Sequence, residues 1–117
     1  MRFMMLYKPG KETTTAPTSE EMTRMGALIS EMAKAGVLLA TDGLQHSSKG
    51  SRVEISGGKF TVTDGPFTET KELIAGYAII QVKSKEEALE HAKKFLEVVG
   101  EGVSEVRQMY DASPTIG

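Results

Sequence analysis

The chain of 117 residues contains no cysteine. That absence excludes disulfides, thiolate chemistry and any cysteine-held metal. It has no apolar run approaching the roughly 20 residues needed to cross a bilayer. Residues 1–8 are too short for a signal peptide, and the polar stretch 9–15 follows directly, so a cytoplasmic protein with no membrane partner is expected. There is no block of like charge, and the formal net charge is −2. A phosphate backbone needs a clustered cationic surface, so direct nucleic-acid binding is not expected. The motifs GxGxxG, GxSxG, HExxH and the Walker loop are all missing, and neither histidine sits in a ligand-spaced pair. No cofactor or metal is therefore expected, and no Ser/His/Asp machinery can be assembled from the spacings.

What is present suits one globular domain. The apolar fraction is 39% and the charged fraction 26%, as in folded soluble chains rather than disordered ones. Residues 1–112 read as a single domain, followed by a polar tail at 113–117.

The elements follow from pattern. Arg2-Phe3-Met4-Met5-Leu6-Tyr7 is a short apolar run stopped by Lys8-Pro9-Gly10, so it predicts a strand buried on both faces. Thr18 and Glu21 form a capping box, after which Met22, Met25, Gly26, Ile29, Met32 and Ala33 recur at helical spacing until Gly36. Methionine fills irregular gaps, so this stripe reads as core packing. A second strand begins at Val37 and runs towards Gln45 and His46. Next, residues 52–56 and 59–63 flank Gly57-Gly58, a two-residue hairpin loop. Counting outward pairs Ile55 with Phe60 and Val53 with Val62, which puts the apolar side chains on one face. Residues 74–82 make another apolar strand. Ser84 and Glu87 then cap a helix carrying Ala88, Leu89, Ala92, Phe95, Leu96 and Val99, closed by Gly100. Residues 103–110 form the last strand.

Strand, helix, strand, hairpin, strand, helix, strand is the order of an α+β, ferredoxin-like antiparallel sheet with an inserted hairpin and both helices on one face. The other face should then be polar in a monomer. Yet Phe3/Met5/Tyr7 and Met4/Leu6 are both apolar sets, as are Tyr77/Ile79 and Ala78/Ile80/Val82. Two copies packing sheet on sheet are the simplest cover, so a homodimer is expected.

The stretch 63–72 interrupts the strand pattern and carries the chemistry. Asp64-Gly65-Pro66-Phe67, with Glu69, Lys71, Glu72 and Gly76-Tyr77 after it, resembles the DGPF branch of the YCII-related domain family. Ala35-Gly36-Val37-Leu38 and Gly43-Leu44 add to the likeness. The resemblance implies a dimeric α/β barrel of ferredoxin-like subunits. Members of that family have been suggested to be enzymes through a His/Asp pair, and some are fused to sigma-factor domains. Here the first helix offers Arg24 and Met25 where the histidine would stand. The second helix ends in Lys94-Phe95-Leu96 instead of an Asp-Pro element, so the pair does not carry over.

An aspartate after a strand ordinarily bonds the N–H two residues on, but here that residue is Pro66, which has none. Asp64 is left to accept from Phe67, to cap the following turn, or to meet a ligand or proton. Phe67 reads as a core plug or a ligand platform. Glu69 and Glu72 can share a helical face and, near Asp64, hold a cation or split into an acid/base pair. Read blandly, these are a solvated charged loop. His46 can act as a general base, since histidine titrates near neutrality, or simply end a loop in solvent. His91 reads as a surface residue. Tyr7 and Tyr77 lie on strands and can line a cavity with their hydroxyls or pack in the core. Three readings follow. The first is a small-molecule-binding or regulatory domain with a pocket near the Asp64 loop, using Tyr7, Phe67, Glu69, Lys71, Glu72 and Tyr77. The second is a cofactor-free enzyme using Asp64 or His46 for proton transfer or lyase-type chemistry. The third is an interaction module beside transcription machinery.

Overall fold

The computed structural model describes residues 1–67 and 72–111. Eight regular elements follow in order: β1 Arg2–Lys8, α1 Ser19–Lys34, β2 Leu38–Gly43, β3 Ser51–Ser56, β4 Lys59–Asp64, β5 Gly76–Gln81, α2 Lys85–Val99 and β6 Val103–Gln108. A 3₁₀ turn, Ser47–Lys49, lies between β2 and β3. The main sheet has the order β2-β5-β1-β6, with every neighbouring pair antiparallel. This is the ferredoxin-like arrangement expected from the element order. The tail call at 113–117 falls outside the described residues.

Both helices start as their sequences require. Thr18 Oγ1 accepts from the Glu21 N–H at 3.1 Å, and Ser84 Oγ accepts from the Glu87 N–H at 3.1 Å. Glu87 also reaches back to the Lys83 N–H. Gly36 and Gly100 follow the helix ends at φ 72° and 91°, values that only glycine adopts without strain.

Opposed residues in an antiparallel pair share a face, so register sorts the sheet. Phe3, Met5 and Tyr7 stand opposite Ile80, Ala78 and Gly76 on one side. There Phe3, Met5, Ile80 and Val82 pack with Met32 of α1 and Ala88 and Ala92 of α2 to form the core. Met4, Leu6 and Tyr77, with Ile79 opposite Met4, occupy the other side. β1 is therefore fully buried on the helix face only: Met4 and Leu6 are half-exposed in the single chain. The open face also carries polar groups, with Lys8 bonded to Glu105 at 2.8 Å and Glu105 to Arg107 at 3.1 Å.

The hairpin pairs Ile55 with Phe60 and Val53 with Val62, as counted, and forms a separate two-stranded sheet. Its apolar ladder faces outward, with Phe60 73% exposed. The first helix departs from expectation. Of its apolar stripe only Met32 is buried, and Met22 is 62% exposed. The N-terminal half of α1 stands away from the sheet over a cavity.

Candidate functional site

The loop after β4 is held by a small network. The Ser51 hydroxyl donates to Asp64 Oδ1 at 2.7 Å. The Gly65 N–H bonds the Gly50 carbonyl at 2.9 Å, and the Gly65–Pro66 peptide is cis. A Cβ on Gly65 would come within 1.8 Å of the Ser47 carbonyl oxygen. The loop can therefore lie against the Ser47 turn only because this residue is glycine. The Phe67 N–H donates to Ser47 Oγ at 3.1 Å. The Arg52 guanidinium sits 3.9 Å from the centre of the Phe67 ring, a cation–π geometry.

Ser47 is the hub of this region, and sequence reasoning passed over it. It is buried; its N–H donates to Glu12 Oε2 at 2.8 Å and its hydroxyl to Glu12 Oε1. The Ser47 hydroxyl bond, the largest cause, holds the Glu12 carboxyl below its ordinary range. His46 caps the same turn: the Ser48 N–H donates to its Nδ1 at 3.1 Å, and its Nε2 lies 3.7 Å from Glu12 Oε1. A neutral His46 thus carries its proton on Nε2, facing the carboxylate. Glu12 lies 35 residues from Ser47. The only sequence signal was a lone carboxylate in a threonine-rich loop, with nothing local to bond.

A small cavity of about 230 Å³ lies beside this network, walled in part by Glu12, Ser47, Arg52, Phe67 and Glu72. Glu72 also reaches Lys8, 3.5 Å away. Glu69 and Lys71 lie outside the described residues. Asp64 and His46 wall neither this cavity nor the larger one. Among the described residues no group of three or more His, Asp or Glu is gathered for a metal. No helix there is long and apolar enough to cross a membrane.

The larger cavity, about 860 Å³, lies between the sheet and α1. Met25, Leu28, Ile29 and Met32 of α1, Phe95 and Val99 of α2, and Met5 of β1 supply an apolar wall. Thr13, Thr15 and Thr18 border it from the loop preceding α1. Tyr7 closes one end, edge-on to Phe95 at 5.1 Å, with its hydroxyl donating to the Glu101 carbonyl at 2.9 Å. Burial, with help from Glu101, pushes the Tyr7 phenol above its ordinary pKa.

Asp42 and Tyr77 also border this cavity, but strand alternation sends their side chains to the open face. There the Tyr77 hydroxyl donates to Asp42 Oδ2 at 3.2 Å, and that bond raises the phenol's pKa. Tyr7 and Tyr77, each read in the sequence as able to line a cavity, therefore serve opposite sides of the sheet. Among the described residues two polar side-chain atoms, Ser104 Oγ and His91 Nδ1, are buried without a hydrogen-bond partner. His91 thus differs from its surface reading, because α2 turns that edge of the ring inward.

Comparison with known proteins bears on this arrangement. The YCII-related domain pattern matches residues 1–113. An uncharacterized protein of Rhizobium meliloti (strain 1021) is 31% identical over 97 residues, covering 80% of this chain and 78% of the relative. Among solved structures, the chain is similar to 5-chloro-2-hydroxyhydroquinone dehydrochlorinase from Burkholderia phenoliruptrix AC1100, solved with 2,5-dihydroxybenzoquinone. The TM-score is 0.50, the identity 13%, and 96% of each chain is covered.

Proposed function

Because the chain belongs to the YCII-related domain family, we propose that it is a small-molecule-binding domain whose ligand occupies the cavity between α1 and the sheet. The carrying observation is the cavity itself, about 860 Å³ with an apolar wall, within the roughly 300–1,000 Å³ usual for small-molecule sites. A dehydrochlorinase of the same fold holds a single-ring compound, 2,5-dihydroxybenzoquinone. That agrees with the reading, although at 13% identity it carries only the fold to this chain.

The Asp64 loop then acts at one remove. Through Ser47 it positions Glu12, and Glu12 leads into the threonine loop that borders the cavity. In this role Asp64 braces and does not touch the ligand. Asp64→Asn should lower stability by about 1 kcal/mol, the usual worth of one such bond, and leave ligand uptake intact. Loss of uptake at unchanged stability would make Asp64 a ligand contact.

We also propose a homodimer closed over the open sheet face, supported by the half-exposed Met4, Leu6 and Ile79 at its centre. A monomeric mass by light scattering would remove that proposal.

The binding reading is tested by uptake of Nile red, an uncharged dye that brightens in apolar surroundings. The native protein should take it up. Met25→Trp, which projects an indole into the cavity, should reduce uptake while the fold persists by circular dichroism. Equal uptake by both proteins would rule the cavity out. Native mass spectrometry of protein from its own cells should then show a bound compound that the variant lacks.

A further inference from the structure

Resting on the cavity as the binding site, the side chains around it also limit what it can hold. Register divides the bordering residues into those that aim a side chain inward and those that contribute only backbone. Asp42 belongs to the second group, so among the described residues Glu21 is the single charged side chain on the helix side of the wall. It stands in the first turn of α1, one turn before Met25 on the same helix face. No lysine, arginine or histidine borders the cavity among the described residues. An anionic group brought inside would lose its water and meet no cation among the described residues, which disfavours it. It would also approach the Glu21 carboxylate.

Hydrogen-bonding capacity is graded along the same wall. The inner part is methionine, leucine, isoleucine and phenylalanine. Ser104, opposite Tyr7 on the helix face, lines the cavity with a buried hydroxyl that has no partner among the described residues. Of the other hydroxyls there, Tyr7 spends its proton on the Glu101 carbonyl, and Thr41 spends its own on the Tyr77 carbonyl at 2.8 Å. The threonines of the bordering loop differ. Thr13 Oγ1 accepts from the Thr15 N–H at 3.0 Å and Thr18 Oγ1 from the Glu21 N–H at 3.1 Å. Both use a lone pair in these bonds and keep a proton to donate. We infer that the cavity takes uncharged ligands with an apolar ring or chain inside and a neutral oxygen function, a hydroxyl or carbonyl, at the threonine loop or at Ser104, and that it rejects carboxylates and phosphates.

The test is displacement of Nile red by three compounds on one skeleton: 2-naphthylmethanol, 2-naphthoate and 2-naphthylmethylamine. The alcohol should bind at least about tenfold more tightly than the carboxylate, a difference of ~1.4 kcal/mol. Glu21→Lys should narrow that gap by raising carboxylate affinity relative to that of the alcohol. Glu21→Gln, which keeps the shape of the side chain, should do the same in part if the lysine variant folds poorly. A carboxylate that equals or outcompetes the alcohol on the native protein overturns the inference while leaving the cavity a binding site. Tightest binding by the amine overturns it in favour of a cationic ligand drawn by Glu21. If neither Nile red nor any of the three compounds binds, the binding reading itself fails, an outcome distinct from loss of charge preference.

Discussion

The two helices are similar in length and both amphipathic, yet they meet the sheet differently. α2 presents Ala88 and Ala92, both buried, so its first half comes close to the sheet, and only Phe95 and Val99 farther along reach the cavity. α1 presents Met25, Leu28, Ile29 and Met32, and only Met32 is buried. Long side chains hold α1 off the sheet, and the loop of residues 13–18 borders the gap that results. An apolar stripe therefore specifies which side of a helix faces inward, whereas the size of its residues decides how near the helix comes. One helix closes the core and the other roofs a chamber.

The sharpest way to break this contrast is to enlarge one residue under each helix. Ala88 is fully buried, so Ala88→Leu should cost about 3 kcal/mol in urea unfolding. Met25→Phe should cost less than about 1 kcal/mol, because the added volume enters the cavity. Equal costs would mean that α1 is as tightly seated as α2.

The contrast continues through the sheet at two adjacent residues. Ile80 is 0% exposed on the helix face, and Ile79 lies opposite Met4 on the open face. If a second copy covers that face, Ile79→Glu should weaken assembly by about 2 kcal/mol, ~30-fold in dissociation constant, and yield folded monomers by light scattering. An unchanged mass would place any interface elsewhere.

A smaller effect should appear on acidification. The folded Glu12 carboxyl titrates below its ordinary value of 4.5. Its contribution to stability is complete above that value and is lost as pH falls through the folded pKa. The native protein should therefore lose more melting temperature below about pH 4.5 than Glu12→Gln does. Parallel curves would mean that the Ser47–Glu12 bonds add nothing. The smallest effect is spectroscopic. Tyr77 should ionise above the ordinary 10.0 because of its bond to Asp42. Phenolate absorbance of the native protein, less that of Tyr77→Phe, should show this, and Asp42→Ala should bring the midpoint down. The associated stability is present below pH 10 and disappears as pH rises through the folded value.

Much of the fold was legible because its determinants are local. Gly57-Gly58 set the register of the hairpin, Thr18 and Ser84 set the helix starts, and element order set the sheet. The apolar excess on the open face was legible as well, since strand alternation assigns Met4, Leu6 and Ile79 without coordinates. The candidate site was less legible. Asp64 drew attention for lacking a partner two residues on, but its partner is Ser51 across the hairpin, the opposite residue in register. Glu12 and Ser47 escaped notice because neither belongs to a motif and only the folded chain joins them. The cavity escaped because periodicity cannot distinguish a methionine packed in a core from one spanning a gap.

The bond from the Ser47 amide to Glu12 has a practical use. The amide can trade its hydrogen for deuterium only when the glutamate lets go, and the glutamate sits at the root of the threonine loop. Its exchange rate is thus a built-in gauge of how often the residue at that root comes away from the Ser47 turn.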